Sequence, residues 1–300
     1  MKLFKTFSGL LHEYIHKNIL ITMGIFVGLI GMLCVIVIPL LQEPLLRVIF
    51  LDIGQGDSIL IQSPNGRKLL IDAGPDQSVV EQVGKQLSFF DRTIDMVLAT
   101  HSDADHIGGF PYLFDRYHIP VVVESEISSP TVTDRTFGEK VTVERSSRLI
   151  ARSGERIVLD PKRNIVLDIL FPDQNPRDWE TNEASIVVKI SYGDTSFVLT
   201  GDSPSEVEEH LVSLYGDQLH ANVLKLGHHG SKTSSSDTFL QTVHPDYAIV
   251  SAGLGNKYGH PNPETIERVE SVNTQILETS RLGNISCLSN GVSVYCSGER

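Results

Sequence analysis

Basic residues are in short supply: 25 Lys and Arg against 37 Asp and Glu give the 300-residue chain a formal net charge of −12. So acidic a chain has no global electrostatic attraction for nucleic acid or anionic lipid, and an anionic substrate must be held by bound metal and local basic residues. Cysteine is scarce too, with three in the chain. Cys34 lies in an apolar run, which leaves Cys287 and Cys296 as the pair an oxidising compartment could join. They flank a hairpin pattern at 288–294 with Asn290-Gly291 as its turn signal. A turn there does not set them directly opposite, so free thiols and a disulfide both stay open. No internal repeat occurs, which argues against a solenoid. At 41% hydrophobic content, one large or two small domains can be built.

One apolar run, residues 19–41, is long enough to cross a bilayer and carries no charge. It is longer than the apolar region of a signal peptide and lacks a small-residue cleavage site. It is apolar all round, unlike a helix that packs one face on a core. Lys2, Lys5 and Lys17 precede it, and Glu43 and Arg47 follow. The positive-inside rule then puts the amino terminus in the cytosol and the remainder outside the cytoplasmic membrane, extracellular or periplasmic. The expected organisation is a cytosolic segment 1–18, a transmembrane helix 19–41, a linker 42–46 and a domain 47–300.

Within that domain, Ile94-Asp95-Met96-Val97-Leu98-Ala99-Thr100 is a buried-strand pattern. It runs into His101-Ser102-Asp103-Ala104-Asp105-His106 and then Gly108-Gly109. Ligands just past the carboxyl end of such a strand sit where open α/β folds keep their chemistry. One Asp capping the following helix would be ordinary. Two His and two Asp in six residues would repel without a cation. Strand and helix patterns recur in two successive sets, with 121–171 reading as strand-rich. This layout suits an αββα sandwich, two facing sheets with helices outside.

The H-x-D-x-D-H spacing resembles the signature of the metallo-β-lactamase superfamily, with Asp103 where a second His is usual. The segments Leu51-Asp52-Ile53-Gly54-Gln55-Gly56-Asp57-Ser58, Ile71-Asp72-Ala73-Gly74, Leu199-Thr200-Gly201-Asp202, Leu224-Lys225-Leu226-Gly227-His228-His229-Gly230-Ser231 and Tyr258-Gly259-His260-Pro261 extend the likeness. Together they are similar to the carboxy-terminal domain of the ComEC family of DNA-uptake channel proteins, though with one span in place of the channel. The resemblance implies two divalent metal ions, with His101 and Asp103 on one, Asp105, His106 and His228 on the other, and Asp202 bridging. A carboxylate has two oxygens and can bridge such a pair. An oxygen-rich first position favours manganese or magnesium relative to an all-imidazole zinc site, although affinity order still admits zinc.

Asp57 and Asp72 end strands beside glycines, each either a turn former or a carboxylate behind the ligands. Asn182 stands where a third ligand motif would fall, and also reads as a loop residue bonded to its own backbone. On an extended segment only one of His228 and His229 can face the metal, leaving the other for a substrate oxygen. His260 is a candidate proton donor. Lys225, Ser231 and Lys232 suit a phosphate.

The expected function is a membrane-anchored hydrolase of phosphodiester bonds, most simply a nuclease on DNA in which metal-bound hydroxide attacks phosphorus; Asp105, His229 and His260 are its candidate catalytic residues. A small-molecule esterase, lactonase or lactamase is the alternative on the same fold. A non-catalytic module of a DNA-uptake or envelope complex, with a separate channel protein as partner, is a further one.

Overall fold

The computed structural model describes residues 18, 19, 21–33, 45–176 and 179–300. The chain divides into two units, Met1–Pro44 and Leu45–Arg300. In the first, residues 21–33 form a helix, α1, whose side chains are exposed. Among the described residues no helix is long and apolar enough to cross a membrane. Positions 20 and 34–41 of the expected span, and the lysines before it, lie outside the described residues.

The described residues of the second unit build two sheets. One has the order β15-β14-β1-β2-β3-β4-β5-β6. Its strands are β1 (Leu46–Phe50), β2 (Ile59–Gln62), β3 (Lys68–Ile71), β4 (Met96–Ala99), β5 (Val121–Glu124), β6 (Ser147–Ile150), β14 (Ile285–Ser289) and β15 (Val294–Gly298). The other has the order β13-β12-β11-β10-β9-β8-β7. It comprises β7 (Arg156–Asp160), β8 (Ile165–Phe171), β9 (Val187–Tyr192), β10 (Thr195–Leu199), β11 (Val223–Lys225), β12 (Tyr247–Val250) and β13 (Gln275–Glu278).

Alternation along the strands explains the layering. Val48 and Phe50 of β1 join Leu167, Ile169, Phe197 and Leu199 in a core between the sheets. Ile49, one residue out of phase, packs outward with Val83, Phe110 and Phe137. These last come from α2 (Ser78–Gln86), α4 (Phe110–Phe114) and α5 (Val132–Glu144), the short α3 (Ala104–Ile107) leading into α4. On the other outer face, α6 (Ser205–Tyr215), α7 (Asp237–Val243) and α8 (Pro263–Ser271) cover Val198, Leu224 and Ala248 with Leu211, Leu240 and Val269. Fully burying a Leu, Ile, Val or Phe contributes about 1.5–3 kcal/mol, so three such layers supply the driving force. The architecture is the αββα sandwich.

Two local readings are refined. The strand-rich stretch 121–171 holds β5 to β8 and also a helix, α5, capped by Thr131, whose side chain accepts from the Asp134 N–H. Its β-branched residues and Gly138 hide a helix that buries Phe137 and Val141 one turn apart. In the terminal hairpin Ser289 pairs with Val294, so the loop has four residues, 290–293. The Asn290 side chain accepts the Val292 and Ser293 N–H groups. That loop shifts the register by two and sets Cys287 opposite Cys296, where they form a disulfide.

Candidate metal centre

The strand β4 and its neighbours deliver the polar motifs to one end of the sandwich. Asp72, just past β3, has φ +56° and is buried. Its Oδ1 accepts the Thr100 N–H at 2.8 Å, and its Oδ2 accepts the Thr100 hydroxyl and His106 Nδ1, both at 2.7 Å. The Thr100 proton is thereby committed, so Thr100 Oγ1 accepts from His101 Nδ1 at 3.0 Å. One carboxylate thus fixes the Nδ1 protons of both histidines, so that each Nε2, once unprotonated, turns a lone pair toward the site. Gly56 permits close approach of a second loop: a Cβ there would lie 2.1 Å from the Asp105 carbonyl oxygen.

Asp57, His106, Asp202 and His229 are all buried, and their ligand atoms lie within 4.8 Å of one another. His106 Nε2 is 3.3 Å from Asp202 Oδ1, and His229 Nε2 is 3.5 Å from Asp202 Oδ2 and 3.3 Å from Asp105 Oδ2. Donors about 2.0–2.1 Å from a shared cation sit about 3 to 3.4 Å apart, so the set fits a divalent ion. His101 Nε2, His106 Nε2, His229 Nε2 and Asp202 Oδ1 are buried without a hydrogen bond. Such orphans cost about 1–3 kcal/mol each, a cost a bound cation would relieve.

His228 and His229 adopt φ +46° and +56° in the single-turn helix Gly227–Gly230. The segment is therefore not extended, and the expectation that only one of the pair can face the site is corrected. His228 Nε2 is 3.8 Å from Asp202 Oδ2, but it is the half-exposed member, whereas His229 is buried and also lies 3.4 Å from Asp57 Oδ1.

Lys225, expected among the substrate contacts, is completely buried. Its ammonium pairs with Asp57, lies 3.8 Å from Asp202 Oδ1 and donates to the Gly201 carbonyl at 3.1 Å. It is out of reach of a substrate and supplies fixed positive charge behind the carboxylates. Asp57, expected as a turn former or supporting carboxylate, sits inside the cluster.

The outer side is more open. Asp103 is 3.9 Å from His101 Nε2, and its side chain is 40% exposed. His260 is partly exposed, its ring centre 5.5 Å from that of His228 and stacked on Tyr258. Lys232 is exposed, while Ser231 is buried and bonds Thr233. Asn182 Oδ1 is buried without a hydrogen bond, so it accepts none from its own backbone; three residues on, Ser185 Oγ accepts the Asp202 N–H at 3.2 Å.

Sequence reasoning passed over Asn256 and Glu208. Asn256 accepts the His260 N–H and donates to its carbonyl, pinning that loop. Glu208 accepts the Ser235 and Ser236 N–H groups at 2.7 and 2.8 Å, holding the segment after His229. Asn in a Gly-rich loop and a lone acid in a helix carry no special pattern.

Charge follows from this packing. Burial lowers His101 to about 4, so it stays neutral and free to ligate. Burial also acts on His106 and His229, but the Asp202 carboxylate outweighs it and raises both, His229 to about 9. Burial favours neutral Asp202, yet His229 and His106 hold its carboxyl well below the usual range. Without a cation the centre keeps protons on two imidazoles, and a bound metal would replace them.

The profile of the Metallo-beta-lactamase superfamily matches residues 51–253, and the chain belongs to that superfamily. Its relatives include the ComEC-like competence proteins. ComE operon protein 3 of Bacillus subtilis is 28% identical over 85% of this chain and 35% of its own length. Competence protein ComA of Neisseria gonorrhoeae is 31% identical over 77% of this chain and 30% of its own length. The chain thus spans about a third of these relatives. Among solved structures, the metallo-beta-lactamase fold protein YhfI of Bacillus subtilis superposes with a TM-score of 0.54 at 11% identity, covering 84% of this chain and all of that one; this shows the fold.

Proposed function

We propose that the chain is a membrane-anchored, metal-dependent phosphodiesterase that cleaves DNA during its uptake. The observation that carries this reading is the buried Asp202 beside His106, His229 and the more open His228, with His260 against His228 and Asp103 beside His101 on the accessible side. Relatives named for competence support DNA as the substrate.

His106, His229, Asp202 and Asp105 would hold one divalent ion, with His101, Asp103 and His228 placed for a second. Bound there, the ions would supply an activated water and stabilise charge on the phosphoryl oxygens. Asp72 orients His106 and His101, and Lys225 balances Asp57 and Asp202. His260 gives a proton to the leaving oxygen, and Lys232 meets the flanking phosphate.

The test uses the full chain in detergent, loaded with manganese, magnesium or zinc, on single- and double-stranded DNA. Release of acid-soluble nucleotides is the expected result. Turnover of carboxylic esters or lactams with intact DNA would sink the proposal.

The anchor is residues 19–41, with the catalytic unit outside the cytoplasmic membrane. The lysine bias before the run and a cysteine pair in disulfide register both support that side. Protease added to cells with an opened outer envelope should digest residues 45–300; digestion only after lysis reverses the topology.

A further inference from the structure

The sandwich has two ends, and the metal centre uses one. β1, β3 and β4 all run toward that end, since β1 and β3 are each antiparallel to β2 and β3 is parallel to β4. The opposite end carries Leu45, where the chain enters, together with the loops 63–67, 88–95 and 290–293. Arg47 ties the entry to Gln86, the last residue of α2 just ahead of the second loop, at 3.4 Å. Lys68 ties the start of β3 to the loop 88–95 itself through Asp91, at 2.7 Å. Ser289 pairs with Leu46, which brings the disulfide-closed hairpin turn to this end as well.

Three large apolar side chains stand out here: Phe89 is 73% exposed, Phe90 88% and Val292 75%. Adjacent bare phenylalanines cost solubility and are a known mark of a contact surface. Arg92 lies over the Phe89 ring, 5.3 Å from its centre. An apolar tip flanked by a cation matches the boundary between acyl chains and headgroups.

We infer that this end of the domain docks on the lipid bilayer, with Phe89 and Phe90 inserted at the level of the headgroups and Val292 beside them. The inference rests on the reading of residues 19–41 as the membrane anchor. Three residues, 42–44, then separate the anchor from Leu45. At about 3.3–3.6 Å per residue they reach no more than about 14 Å, counting the bond into Leu45, so the entry end cannot stand far from the bilayer. The metal centre consequently faces away from the lipid, into the aqueous phase from which DNA arrives.

The test places single tryptophans in the full chain. Trp179 is the one native tryptophan, so Trp179→Phe provides the background. Phe90→Trp and, at the metal end, Leu254→Trp are reconstituted in phosphatidylethanolamine and phosphatidylglycerol vesicles with and without brominated acyl chains. Leu254 is 84% exposed, so neither site tests packing. The expected result is a blue-shifted emission at position 90 that brominated lipid quenches, and a water-like, unquenched emission at 254. Vesicle flotation with no quenching at 90 keeps the anchor and overturns the docking, leaving the phenylalanines as a protein-contact surface. Quenching at 254 in its place reverses the orientation and overturns it too. Failure to float removes the anchor and the docking together.

Discussion

The centre has an inner and an outer half, and they are built on different terms. The inner half, with Asp57, Asp72, His106, Asp202, Lys225 and His229, is buried, tied by hydrogen bonds to strand ends, and carries the orphaned Nε2 and Oδ1 atoms. In the outer half, Asp103 and His228 have side chains 40% and 31% exposed, and His260 stands on a loop pinned by Asn256. Buried ionisable groups persist where their charge is matched, so the inner half is suited to holding metal. Exposed groups can meet a substrate. The two halves nevertheless adjoin, the His229 and His260 rings lying 6.4 Å apart.

The strongest blow to that division is Asp202→Ala. It should remove most bound metal, by mass spectrometry, and abolish DNA cleavage. Retention of metal with normal cleavage would show that the inner half does not bind the ions. His260→Ala should spare metal content and cost about 10²- to 10⁴-fold in rate, the usual worth of a positioned proton donor. If metal is lost along with rate, His260 belongs to the inner half.

Lys225→Met tests the charge balance. Removing one partner of a buried pair costs about 3–5 kcal/mol, because Asp57 is left buried and unmatched. The metal-free variant should therefore melt well below the wild type, and added divalent ion should recover part of the loss. Unchanged melting without metal would mean that Asp57 is matched by other groups.

The two halves were not equally readable in the sequence. The His101–His106 segment announces itself because four candidate ligands crowd one strand end, and the sheet layering follows from alternation such as Val48, Ile49 and Phe50. The inner role of Lys225 is hidden: a lysine beside a ligand motif looks like a phosphate contact until the fold buries it. His228 and His229 misled for a backbone reason, since periodicity assumes extended residues and both lie at positive φ. The Cys287–Cys296 pairing hinged on loop length, four residues against the two an Asn-Gly signal suggests. Asp57 joins the cluster only through a sharp turn at Gly56 against the Asp105 carbonyl.

Glu208 gives the finest test, because it supports the inner half from outside it. Burial pushes its carboxyl up to about 7, against the two N–H bonds from Ser235 and Ser236 that favour the charged form. In the unfolded chain the group titrates near its ordinary 4.5. The folded state therefore binds the extra proton between these values, and its contribution to stability is full below about pH 4.5 and lost as pH rises through about 7. His229 falls in a later window, between its ordinary 6.5 and about 9, so the two can be told apart. Glu208→Gln keeps the shape and fixes the charge at zero, which should flatten the slope of unfolding free energy between pH 4.5 and 7. It should also cost about 1–3 kcal/mol at low pH, since an amide offers one acceptor to two N–H donors. Urea melts of the metal-free protein at half-unit pH steps would show both effects. An unchanged slope in the variant would mean that Glu208 is ionised throughout, with the two N–H bonds outweighing burial.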